Sequence, residues 1–215
     1  LRGHREGVGP LFPVVLGGDH SIGYPDVMGM SPYVDGNIGI IHFDRHSDLS
    51  EFNMDERMHG TPFFHATNIP NAPPQNLVQI GGWTGSREGL RVARDRRATV
   101  ITLEDVDHYG IDRVAEYALD IAWRNAKAVF LSFDIDCVDP AFAPGTGTPE
   151  PGGFLPRELL RLIRLVTKEG ISGLEVVEVL ANELSASTAR DVGHPRRDAA
   201  EAALDLAVAP PGRVL

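Results

Sequence analysis

Apolar positions along the chain gather into short continuous runs, most of which stop at glycine or aspartate. Residues 13–16 (PVVL) run into Gly17-Gly18, residues 38–43 (IGIIHF) into Asp44, and residues 77–80 (LVQI) into Gly81-Gly82. Further runs occupy residues 99–103, residues 128–133 (AVFLSF) before Asp134, and residues 174–179. Near-continuous rather than alternating apolar character predicts strands covered on both faces, as in a parallel sheet. Helical spacing falls between them at 87–97, 113–125 and 156–168, the last with proline in its first turn. An alanine-rich stretch at 197–207 predicts a final helix. Strands alternating with helices predict a three-layer, doubly wound α/β fold with a mostly parallel sheet, in one domain spanning 1–215. The chain does not begin with Met, and residues 1–13 read as a loop leading into the first strand, so an N-terminal portion is expected to be missing.

Composition narrows the function classes. A net charge of −10 with no basic patch argues against nucleic acid and favours cationic ligands. No apolar stretch is long enough to span a bilayer. One cysteine, Cys137, excludes an intrachain disulfide and suits a reducing, cytoplasmic setting.

The candidate chemistry sits where the predicted strands end. Asp19 and His20 follow the first strand; Asp44, His46 and Asp48 follow the second; Asp134 and Asp136 follow the fifth. Open parallel sheets bind ligands beyond the carboxyl ends of their strands. Both Asp44-x-His46-x-Asp48 and Asp134-x-Asp136 have period two, which in extended chain sends side chains to one side. An isolated Asp-His pair is usually a turn or cap, and Asp19 suits that role. Three such groups at strand ends instead suit divalent cations, which would hold the crowded carboxylates ionised. His42, taken to alternate with the metal-side residues, is read as structural or as a supporting neighbour of the ligands, not as a ligand itself, and Cys137 as core. His4, His65, His108 and His194 receive no role.

These motifs resemble those of the ureohydrolase (arginase/agmatinase) family. Gly17-Gly18-Asp19-His20-Ser21, Asp44-Arg45-His46-Ser47-Asp48 and the run from Ser132 to Pro140 are similar to its three metal motifs. Residues 141–153 (AFAPGTGTPEPGG) and His59-Gly60-Thr61-Pro62-Phe63 resemble its agmatinase-like branch, and residues 173–179 (GLEVVEV) its last strand. The resemblance implies an arginase-like fold and two divalent metal ions per chain, manganese first and nickel as the alternative. His20, Asp44, Asp48 and Asp134 would hold one ion, and His46, Asp44, Asp134 and Asp136 the other. His59 would act as acid/base or orienting histidine, and Glu178 would pair with a guanidinium. A homo-oligomer, trimer or hexamer, or a hetero-oligomer with a homologue is implied too. Arg45 stands where the family commonly has alanine, Leu180-Ala181 departs from its usual continuation, and residues 182–197 match no family pattern.

The expected activity is hydrolysis of agmatine, a guanidino acid, guanidine or a biguanide to urea or a urea-like product and an amine. Hydroxide made available by the metals would be the nucleophile. Asp136 or Asp48 would pass a proton to the departing amine, and His59 would exchange it with solvent. The competing readings are a non-catalytic helper subunit of a mixed assembly, and an amide deacetylase on the same fold.

Overall fold

The computed structural model describes residues 11–52, 54–82 and 87–180, with Arg87 described in its backbone only. The predicted helix at 197–207 and the segment at 182–197 lie outside the described residues. The strands are β1 (Val14–Leu16), β2 (Asn37–Phe43), β3 (Leu77–Gly82), β4 (Thr99–Thr102), β5 (Ala126–Asp134) and β6 (Gly173–Val177). They form one sheet in the order β1-β6-β5-β2-β3-β4. The expectation of a mostly parallel sheet is exceeded, because every neighbouring pair is parallel.

Helices cover both faces. On one side, α1 (Gly23–Met30), α2 (Pro62–Ala66) and α3 (Arg87–Arg96) pack Val27, Met30, Phe63, Val92 and Ala93 on Ile38, Ile40, Leu77 and Phe130. On the other, α4 (Leu103–Tyr109), α5 (Ile111–Ala122) and α6 (Pro156–Val166) bury Val106, Val114, Leu159 and Leu162 against Ile41, Phe43, Leu131 and Phe133. This double cover is why the strands read as continuous apolar runs.

Several boundaries depart from the sequence reading. The fourth strand ends at Thr102, not Leu103. The Thr102 hydroxyl accepts the Asp105 N–H while the Asp105 carboxylate accepts that of Thr102, a capping box that starts α4. The sixth strand ends at Val177, and Glu178 turns off it at φ 61. Helices α1, α2 and α4 have no counterpart in the sequence pattern.

Gly39 in β2 allows α5 to cross closely, since a Cβ there would stand 1.9 Å from the carbonyl oxygen of Ala122. Both partners are backbone, so neither can swing away. Gly39→Ala is expected to destabilise the protein by about 3 kcal/mol or more, read as a lower urea midpoint at unchanged slope. A loss of only a few tenths of a kcal/mol would contradict this close crossing.

From β2 the chain winds outward through β3 to β4, then returns to the opposite side of β2 as β5 and continues to β6. The direction of winding reverses between β2 and β5. At such a switch point the flanking connections diverge and leave a crevice beyond the strand ends.

Candidate metal centre

The crevice holds the carboxylates singled out above. Asp44 follows the last residue of β2, Asp134 is the last of β5, and the two strands are paired through Phe43 and Phe133. A short 3-10 turn, Ile135–Cys137, carries Asp136 past the strand end, its N–H bonded to Asp134 Oδ1 at 2.8 Å. His20 opens another 3-10 turn beyond β1, capped by Asp19. Asp19 is exposed and bonds Ser21, which bears out its reading as a cap. Asp48 lies in left-handed backbone at φ 46, and its carbonyl accepts the N–H of Phe63, tying this loop to α2.

Two groups of donor atoms result. His20 Nδ1 lies 3.0 Å from Asp48 Oδ2, 3.1 Å from Asp134 Oδ2 and 3.2 Å from Asp44 Oδ2. His46 Nδ1 lies 2.8 Å from Asp136 Oδ2 and 3.4 Å from Asp44 Oδ1. Asp44 divides its two oxygens between the groups and so links them. All six predicted ligands, His20, Asp44, His46, Asp48, Asp134 and Asp136, are thus brought together.

The electrostatics of this cluster fit cations. Burial would lower the His20 pKa, but the carboxylates of Asp134, Asp44 and Asp48 drive it well above the ordinary value. Burial also opposes charge on His46, yet Asp136 and Asp44 hold its pKa at about 11. Burial and the neighbouring Asp44 charge raise Asp48 and Asp134, and bring Asp136 to about 7. Asp44 goes the other way: against the cost of burial, His42, His20 and His46 hold it well below the carboxylate range. Four buried or nearly buried carboxylates facing two imidazoles are short of positive charge. Protons supply part of it here, and divalent cations suit the same oxygen-rich donor set.

The described structure corrects the placing of one residue and brings in two, Ser132 and Glu175, that the sequence reading passed over. His42 does not alternate with the metal side: positions 42 and 44 share a face of β2, and His42 Nε2 lies 2.8 Å from Asp44 Oδ2. Burial keeps the His42 pKa below its ordinary value, favouring a neutral ring. Ser132 Oγ lies 2.8 Å from His20 Nε2, and Glu175 Oε1 lies 3.7 Å from the same nitrogen. Burial raises Glu175 to about 8, with Asp26 beside it. Ser132 and Glu175 sit on the same strand face as Asp134 and His42; of these, only the parity of Ser132 with Asp134 could have been read from the sequence.

The rim comes from two loops. Glu178 Oε1 accepts the backbone N–H of His20 at 2.7 Å, and burial raises its pKa. His59 lies close enough for its charge to favour ionised Glu178. The 145–148 turn approaches Glu178, with 3.6 Å between Oε2 and the place a Cβ on Gly147 would occupy. Arg45 is buried; it donates to the carbonyls of Gly81 at 2.8 Å and Pro151 at 3.1 Å. It therefore pins the loop after β5 to the end of β3. Cys137 is buried in the core, as expected.

The raised groups set a pH dependence. Asp136 rises from 3.8 to about 7, Glu175 from 4.5 to about 8, and His46 from 6.5 to about 11. Each binds its proton more tightly folded than unfolded, so each loses stabilisation as pH climbs toward the folded value. His42 has the opposite sign, but its contribution is complete above 6.5. The melting temperature of metal-free protein is expected to fall between about pH 6.5 and 9, and less steeply once metal replaces the protons. A rise across that window in chelator would contradict the shifts.

A family profile described as Arginase family matches residues 8–193, and so takes in residues 182–193, which the sequence reading had left without a family pattern. Proclavaminate amidinohydrolase of Streptomyces clavuligerus is 37% identical over 169 residues, covering 77% of this chain and 53% of the relative. A mitochondrial guanidino acid hydrolase of Homo sapiens is 34% identical over 183 residues, covering 83% and 51%. The chain spans about half the length of the curated relatives it matches. Among solved structures, arginase from Bacillus caldovelox superposes with a TM-score of 0.77 at 28% identity, covering 95% of this chain and 70% of that one. No helix among the described residues is long and apolar enough to cross a membrane.

Proposed function

The chain belongs to the arginase family, and from that membership and the linked donor groups we propose a hydrolase that cuts a small cationic guanidino compound to urea, or a urea-like product, and an amine. The observation that carries this reading is Asp44, whose two oxygens face two histidine-carboxylate groups at the switch point. His20, Asp44, Asp48 and Asp134 would hold one divalent cation; His46, Asp44, Asp134 and Asp136 would hold the other. Manganese suits these ligands, with nickel as the alternative. Such cations supply Lewis-acid activation of water near neutral pH.

The chain's own side chains do the remaining work. Glu178, at the rim, binds the guanidinium through charge-assisted hydrogen bonds and turns its carbon toward the carboxylate cluster. Asp136, whose carboxylate lies 2.8 Å from His46 at the edge of the cluster, takes the proton released when water adds and returns it to the nitrogen whose bond to carbon breaks. His59, half-buried beside Glu178, exchanges protons with solvent. Acidic surroundings favour a cationic substrate over an anionic one. The relatives named agmatinase, guanidino acid hydrolase and guanidinopropionase support the guanidino class.

The test is metal content by mass spectrometry beside a urea-release panel of agmatine, arginine, guanidinobutyrate, guanidinopropionate, guanidine and a biguanide. About two metals per chain with turnover of one substrate is expected. No bound metal and no turnover after manganese or nickel loading would overturn the reading and leave the helper-subunit alternative.

A further inference from the structure

His42 Nε2 lies within ligand distance of the site, and His20, His42 and Asp44 together offer donor atoms that could hold a metal. Its hydrogen bonds assign it a different task. The carbonyl oxygen of Ser47 can only accept, so the amide atom of Gln79 that bonds it must be the nitrogen, Nε2. That nitrogen's second hydrogen faces His42 Nδ1 at 2.9 Å. Nδ1 is therefore an acceptor and carries no proton. In a neutral ring the proton sits on Nε2, which donates to Asp44 Oδ2 at 2.8 Å. We propose that His42, held in this tautomer by Gln79, is a positioning residue that clamps the linking carboxylate of Asp44, and is not itself a metal ligand.

The surroundings enforce the arrangement. Gln79 is the register partner of His42 across β2 and β3, so the sheet itself sets their separation. The Phe63 ring lies 4.0 Å from the His42 ring at 37°, which fixes its plane. Gln79 Oε1 is buried without a partner. Flipping the amide would put that oxygen against the Ser47 carbonyl, so the orphan persists. For Nε2 to coordinate, its proton would have to move to Nδ1 and meet the N–H of Gln79. On the Asp44 side, Oδ2 takes the His42 proton and Oδ1 takes the His46 N–H at 2.5 Å. The carboxylate is thus gripped at both ends, and its remaining lone pairs stay aimed at the two donor groups. Partners that orient a metal ligand in this way typically set affinity by about 10–100-fold.

The purpose of the clamp rests on the proposed metal centre, while the tautomer can be read without metal. Two-bond nitrogen–proton correlation spectra of the metal-free chain should give His42 an unprotonated Nδ1 and a protonated Nε2. Gln79→Glu, which accepts where Gln79 donates, should reverse that tautomer. His42→Gln restores an N–H toward Asp44 and should hold manganese within a few-fold of wild type, whereas His42→Phe should weaken it by about 10–100-fold. A protonated Nδ1 in the wild-type chain would overturn the clamp alone. Equal loss of manganese in His42→Gln and His42→Phe would mark His42 as a ligand. Wild-type protein that takes up no manganese or nickel would overturn both the clamp's purpose and the metal centre.

Discussion

Asp44→Asn is expected to empty the centre of both cations and to lower turnover of the accepted guanidino substrate by roughly 10³-fold or more. Among the described residues, Asp44 is the one side chain whose oxygens face both histidine-carboxylate groups. The substitution keeps the volume, so it tests charge and hydrogen bonding rather than packing. Both oxygens already accept N–H groups, Oδ2 from His42 and Oδ1 from His46. An amide nitrogen in either place confronts a donor and leaves one buried bond unmade. Metal content by mass spectrometry and urea release, read beside a melting curve, separate loss of the centre from loss of the fold. A folded variant that keeps two metals and more than about a tenth of the activity would refute the linking role.

Glu178→Gln should act differently. Its Oε1 can still accept the His20 N–H, so the turn after β6 and the metal content should survive. The negative charge proposed to face the guanidinium is gone, and kcat/KM should fall by about a hundredfold or more. Removing one partner of a partly buried charge pair costs most where the other stays charged, and a guanidinium does not lose its proton at working pH. Glu178→Gly gives a second handle: it relieves the left-handed backbone at φ 61 while removing the carboxylate. It should lose activity at least as deeply, and because the His20 N–H loses its acceptor, metal content should fall as well. Unchanged kcat/KM in Glu178→Gln would remove this residue from substrate binding.

The strand pattern was open to reading because burial on both faces writes it plainly: AVFLSF in β5 has nowhere polar to turn. The candidate ligands stood out because they gather just past strand ends, but the extended chain assumed for their period-two spacing does not form: Asp136 sits in a 3-10 turn and Asp48 in left-handed backbone. The short helices were not. α2 has five residues and α4 has seven, too few for an apolar stripe to repeat. The Thr102-to-Asp105 capping box was written in the sequence, but it sat against the apolar Thr99–Thr102 strand and was absorbed into it. The last strand was read two residues too long because Glu178 and Val179 continue its composition; the left-handed turn at Glu178 leaves no compositional trace. Ser132 and Glu175 looked like interruptions of apolar runs, and His42 was put on the wrong face of its strand. Their common face is visible only once β2, β5 and β6 are known to be neighbours.

The strand order also bears on how the chain is made. β1 has a single described neighbour, β6, which leaves the ribosome more than a hundred residues later. His20 hangs from the end of β1, and its backbone N–H is held by Glu178, just past β6. His20, the first of the proposed ligands to be translated, is therefore among the last to settle. Until β6 slots between β5 and β1, the nascent protein holds an incomplete claw of aspartates with His46 alone for an imidazole. Such a half-built claw would bind ions loosely, and capture of metal would become one of the closing events of folding, not a template for it.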